Sequence, residues 1–480
     1  MSTESLRRGD EGTRRGRTHR RRGRAFVGAF AVVVGVLAVL GLGGAALTSV
    51  QGPRVTSVQF DPDAAVTASG SRVIFTTSQS LDEVDPSQVT VTPAAEFTVD
   101  TSGRSVGLRF ALPLWDDTEY TVRIEGVTGL GGGPPVTIER TLATPPLQVY
   151  ILQRQESGDT VYRTDLAGDA AVPVFTHPHI EDFRATAGHL VMSTLDDDGL
   201  SHLIVTDLDG EGERELPLPG EGTVTDLQSA DRGSLIGYLF TDADISAESG
   251  REAALFTASL SASRRDEPPT AIEREGGDSR VADWRFVPGT DSMLLLTFDG
   301  SLTLVTRGGA PVALGNAISI DGIARGSATA IIERGTGLVA LDLATAEETE
   351  LAPTDPSLGQ AWSVIGLPDG SGDTVRVLSK LDDAGITVES TSVAVVDPDG
   401  EARPVFDVPA DASLLQACVS PSGRYAALLI APESVDNPYD GYQLPLPERL
   451  QTHVVSLEDG AEVVALRGFD ISWCQSAPRP

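Results

Sequence analysis

Two cysteines, six histidines and 69 acidic residues make up the chain's stock of nucleophiles, metal ligands and proton carriers. Their spacing limits the chemistry they can do. No Ser sits in a GxSxG elbow, no His pair forms HExxH, and neither a phosphate-binding loop nor a CxxC pair is present. His177 and His179 flank a proline close to Glu181 and Asp182, but two loop histidines fall short of the three or four fixed ligands a metal centre needs. Asp196–Asp197–Asp198–Gly199 and Asp207–Leu208–Asp209–Gly210 begin like calcium loops. Neither continues into the full ligand spacing, and both read as Asp-Gly hairpin turns. With 69 carboxylates, a pair set for glycosidic cleavage stays open. The sequence therefore assigns no catalytic, cofactor-binding or metal-binding residue. The long aromatic-bearing insertion Glu433–Tyr442 is the place to look for a ligand contact.

The elements that position these residues fall into four segments. Residues 1–24 form a basic tail with nine arginines against three acids, +6, which leaves −39 for the rest of a chain whose total is −33. So acidic a body repels phosphate backbones and excludes nucleic acid as a partner. Residues 25–50 carry no charge, and a helix of that length spans about 39 Å at ~1.5 Å per residue, more than the roughly 30 Å of a hydrocarbon core. This predicts an uncleaved transmembrane signal-anchor, with Arg20, Arg21, Arg22 and Arg24 holding the N-terminus in the cytoplasm and the C-terminal ectodomain outside.

Residues 53–145 alternate with period two between turn residues, as in Val55–Phe60, Arg72–Thr76, Val89–Thr92, Val106–Phe110 and Tyr120–Ile124, the pattern of a half-buried antiparallel β-sandwich. Val84–Asp85–Pro86–Ser87–Gln88–Val89–Thr90–Val91, followed by Leu112–Pro113–Leu114 and Thr118–Glu119–Tyr120–Thr121–Val122, resembles the bacterial Ig-like repeats of surface proteins. That resemblance implies a spacer.

Residues 147–478 repeat a four-strand unit. A short segment such as Ile180–Phe183, Val224–Leu227, Val281–Trp284, Ile318–Asp321, Trp362–Ile365 or Leu414–Ala417 leads each time into a strongly apolar strand and then two more, with Asp-Gly turns between. Such repetition predicts a β-propeller. Residues 148–175 supply only three strands, and Phe469–Trp473 supplies the missing innermost one, which closes the ring. The count is seven blades, with the irregular segment Glu248–Gly277 leaving six and eight open. Val419–Ser420–Pro421–Ser422–Gly423–Arg424–Tyr425–Ala426–Ala427 resembles the turn element of TolB-like and WD-repeat-like bacterial propellers. Leu367–Pro368–Asp369–Gly370 is a partial echo. Cys418 and Cys474 take equivalent places on neighbouring inner strands, which predicts a disulfide outside the cytoplasm.

The predicted fold class is thus an all-β ectodomain, an Ig-like sandwich plus a propeller of about seven blades, on one N-terminal transmembrane helix. The predicted function is a binding or scaffolding protein of the bacterial cell envelope, without cofactor, whose propeller recognises a protein or glycan. A propeller hydrolase or lyase acting on envelope carbohydrate is the alternative. Clustered carboxylates at the channel mouth favour the enzyme, and a plugged channel favours the binder.

Overall fold

The computed structural model describes residues 28–39, 52–168, 171–231, 234–246, 249–272 and 278–478. Within the predicted membrane segment, residues 28–39 are helical and exposed. No helix among the described residues is long and apolar enough to cross a membrane. The rest of the segment and the basic tail lie outside the described residues.

The first module has seven strands: β1 (Val55–Phe60), β2 (Arg72–Thr77), β3 (Val89–Thr92), β4 (Phe97–Ser102), β5 (Ser105–Phe110), β6 (Glu119–Val127) and β7 (Val136–Ala143). They form two antiparallel sheets, ordered β1-β2-β5-β4 and β3-β6-β7. Alternate residues point inward, so Val73, Phe75, Val106, Leu108, Phe110, Tyr120, Val122 and Ile124 make one shared core between the sheets.

Among the described residues from Gln148 onward, seven successive sheets follow in chain order, one of three strands and six of four. The three-stranded sheet, the first blade, comprises Gln148–Gln153, Asp159–Asp165 and Val172–His177. The other blades open with the inner strands Ile180–Ala185, Gly222–Ser229, Val281–Phe286, Ser319–Ile323, Gln360–Gly366 and Ser413–Val419, which neighbour one another in ring order. In all six, the register slips between the first and second strand. A repeated bulge of this kind adds the local twist that turns each inner strand along the channel wall. The ring closes as the sequence predicts. Leu152 and Phe469 exchange two backbone hydrogen bonds of 3.0 and 2.9 Å, and Ser472 donates to the Tyr150 carbonyl at 2.9 Å. The closing segment is a short bridge instead of a full strand, because Asp470, at φ 56°, breaks its extended run.

The second strands are buried on both faces, as in Tyr425–Ala431 and Met293–Thr297, because the apolar cores lie between adjacent blades. One such contact sets a steric limit. A Cβ added at Gly237 would meet the ring of Trp284 in the next blade at 2.5 Å. Gly237→Ala is expected to cost about 1–3 kcal/mol of overpacking, measured as a shift in the urea midpoint. A loss below ~0.5 kcal/mol would mean that the indole moves aside freely.

The Asp-Gly turns take the predicted form. Asp207 Oδ1 accepts from the backbone N–H of Asp209 and Glu211 at 3.0 and 2.8 Å, and Asp397 does the same with Asp399 and Glu401 at 3.0 and 2.9 Å. Gly210 and Gly400 supply the left-handed residue, at φ 83° and 92°.

We call the face where the inner strands begin the upper face, and the one where they end the lower face. The sandwich docks on the lower face. Arg424, from the Ser-Pro-Ser-Gly-Arg-Tyr turn, donates to the Asp116 carbonyl at 2.7 Å and its carboxylate at 3.1 Å, and the Tyr425 hydroxyl donates to that carboxylate at 3.0 Å. Val66 of the sandwich joins the apolar cluster around Tyr425 and Trp473. The turn that the sequence marks as a fold device thus also joins the two modules.

Candidate functional site: the central channel and its upper rim

The inner strands carry polar residues into the middle of the ring, and those residues tie one blade to another. Arg184 forms ion pairs with Asp182 on its own strand, at 2.9 Å, and with Asp470 on the closing segment. Gln228 donates to the Trp284 carbonyl of the next blade at 2.7 Å. Arg285 pairs with Asp283 and reaches the Ile320 carbonyl of the blade after at 3.4 Å. Asp321 accepts from the backbone N–H of Val364 at 3.0 Å. Each such rung satisfies a group that burial would otherwise penalise. Burial pushes the Asp182 carboxyl well above the usual carboxylate range, with Arg184 opposing and Asp470 reinforcing. Burial also raises that of Asp321. The channel carboxylates named here are therefore committed to holding the ring.

Cys418 and Cys474 are joined by a disulfide with Cα atoms 5.5 Å apart, at the lower end of the channel. From Cys474 the chain runs on into the channel, where Gln416 donates to the Ser476 carbonyl at 2.8 Å and Arg325 donates to the Trp473 carbonyl at 3.3 Å. Beside this tail lies a cavity of about 380 Å³, lined by Asp321, Glu333, Trp362, Gln416 and Trp473 among others.

The aromatic insertion of the last blade is folded inward. Arg154 donates to Asp440 at 2.8 Å and lies 3.8 Å from the Tyr442 ring centre. The Tyr442 hydroxyl donates to Asp159 at 2.8 Å, and Glu181 accepts from the backbone N–H of Gln443 at 2.9 Å. The segment Glu433–Asp436 and Pro438, Tyr439 and Gly441 of this loop face solvent. Tyr442 thus makes internal contacts, while the rest of the insertion that the sequence marks for a ligand contact stays largely on the surface. His179 belongs to the same knot: it meets Glu181 at 2.7 Å and its ring centre lies 4.1 Å from that of Tyr442. His177 binds the backbone of His179. Among the described residues, no group of three or more His, Cys, Asp or Glu is arranged to hold a metal ion.

Sequence reasoning missed the Asp-x-Arg rungs, although their signal is visible. Asp182–Phe183–Arg184 and Asp283–Trp284–Arg285 repeat at equivalent places, with Asp226–Leu227–Gln228 between them.

Among the described residues of the propeller, the exposed large apolar side chains concentrate on the upper face. Ile245, Phe298, Ile318, Trp362, Ile386 and Val435 all lie at the starts of inner strands or in loops joining second to third strands.

No protein-family model and no curated protein matches the chain. Solved structures similar to it include a protein of unknown function from Bacteroides thetaiotaomicron, at 14% identity over 89% of this chain and 91% of that one, TM-score 0.36. A manganese complex of oligogalacturonate lyase is similar at 12% identity over 76% of this chain and 95% of that one, TM-score 0.43. A putative TolB from Agrobacterium tumefaciens is similar at 14% identity over 67% and 90%, TM-score 0.32. The propeller assignment rests on the sheet order and ring closure of this chain itself.

Proposed function

We propose that this chain is a membrane-anchored binding or scaffolding protein of the bacterial cell envelope, with residues 25–50 as the anchor and the ectodomain outside the cytoplasm. The sandwich acts as an Ig-like spacer, and the TolB-like propeller recognises a partner through its upper face. One observation carries this reading: an exposed apolar fringe stands on the face opposite the docked sandwich, with Val435 at 95% and Ile386 at 82% exposure. Apolar surface gathered on one face marks an interaction site. The engaged channel carboxylates and the tail lying in the channel favour binding over catalysis.

The test is site-specific crosslinking in intact cells. Lys380 is the sole lysine, so amine-directed reagents have almost nothing to attack, and a photoreactive residue is placed at Val435 or Ile386 of the full chain. The expected result is a discrete adduct at both positions and none from a probe at Val463, on the outer strand of the last blade. Adducts absent from the upper face, or equal at all three positions, would refute the proposal.

A further inference from the structure

We infer that the upper face takes a partner protein through a positively charged side chain, which enters the channel mouth between Trp362 and the carboxylate of Glu333. This deepens the proposed function and rests on its upper-face assignment.

Trp362 sits at the bulge of an inner strand, is 47% exposed, and lines the same cavity as Asp321 and Glu333. An indole face beside the Glu333 carboxylate attracts a cation twice over, through the ring quadrupole and through charge. The arginines that share this cavity already have acidic partners: Arg285 pairs with Asp283, and Arg325 with Asp231 at 2.8 Å. Glu333, by contrast, accepts one long hydrogen bond, 3.4 Å from Ser319 Oγ. The surrounding rim repeats the pattern. Its cations Arg251, Arg280, Lys380 and Arg449 all stand in ion pairs with neighbouring acids. Asp355 and Asp382, on loops of the same face, are held below the usual carboxylate range by backbone N–H groups and stay charged. The cavity volume of about 380 Å³ lies in the range of ligand pockets, roughly 300–1,000 Å³. Ile318 and the hairpin residues Leu381, Ile386 and Val388 place apolar surface beside this acidic opening. The complementary partner is a segment that alternates basic and apolar side chains.

The full chain in detergent micelles is titrated with an acetylated, amidated peptide of alternating leucine and arginine, and binding is read from tryptophan emission. Binding is expected to saturate, to weaken at least tenfold between low salt and about 0.5 M, and to weaken roughly tenfold in Trp362→Ala and in Glu333→Gln, the latter read with the native tryptophan in place. Both side chains are partly exposed, so the variants are expected to keep the parent unfolding midpoint. Three results overturn the inference: equal binding of a peptide with glutamine in place of arginine, binding unmoved by either substitution, or saturable quenching by a neutral oligosaccharide and not by the peptide. If crosslinking at Val435 succeeds while the peptide fails, the cationic anchor is wrong and the binding face stands. If no upper-face adduct forms, the functional reading itself falls.

Discussion

Arg184→Ala is expected to destabilise the propeller by about 3–5 kcal/mol, because it leaves two buried carboxylates facing each other without their shared cation. Asp182 and Asp470 are both almost completely buried, and Arg184 is the guanidinium that joins a blade near the start of the ring to its closing segment. The measurement is a urea titration of parent and variant, compared at the midpoint with the slope held common. A companion variant sharpens it. Arg184→Met combined with Asp182→Asn and Asp470→Asn removes the charges of all three partners while filling the volume, and is expected to recover most of the loss. If Arg184→Ala costs under ~1 kcal/mol, water reaches the pair and the rungs are not what binds the ring. If the triple variant is as weak as the single, lost packing is the cause instead of unpaired charge.

Cys474→Ser is expected to cost about 4 kcal/mol, since the Cys418–Cys474 bond encloses 56 residues and its loss returns that loop's freedom to the unfolded chain. Reductant is expected to lower the stability of the parent protein by a similar amount and to leave the variant unchanged. Thiol titration of the denatured parent is expected to find no reactive group before reduction and two after. Two reactive thiols without reductant would remove both the bond and the argument for an oxidising compartment.

The parts of this molecule that repeat were legible in its sequence. Apolar second strands such as Met293–Thr297 and Tyr425–Ala431 stand out because each is buried on both sides, and the same four-strand unit recurs around them at uneven intervals. The three-strand remainder at Gln148–His177 demanded a partner, and Phe469 supplies it. What stayed hidden are the contacts that no period encodes. Arg184 meets Asp470 across 286 residues, Arg424 meets Asp116 across 308, and Tyr442 meets Asp159 across 283. A strand pattern tells which way a side chain points within a blade. It does not tell which side chain from another blade, loop or module arrives opposite. For the same reason the inward anchor of the loop Glu433–Tyr442 went unread: nothing local shows that Arg154 and Asp159 wait for Tyr442.

The seam beside Tyr150 also sets a schedule for biosynthesis. Its partner Ser472 lies 322 residues further on, so at ~5–20 residues per second the inner edge of the first blade waits roughly 16–64 s for its mate. Throughout that interval the growing polypeptide carries an unpaired β edge, Val149–Leu152, that any other extended segment can occupy. Premature release from the ribosome before Phe469 therefore yields an open, adhesive arc in place of a ring, and chaperone demand should track the length still to be made.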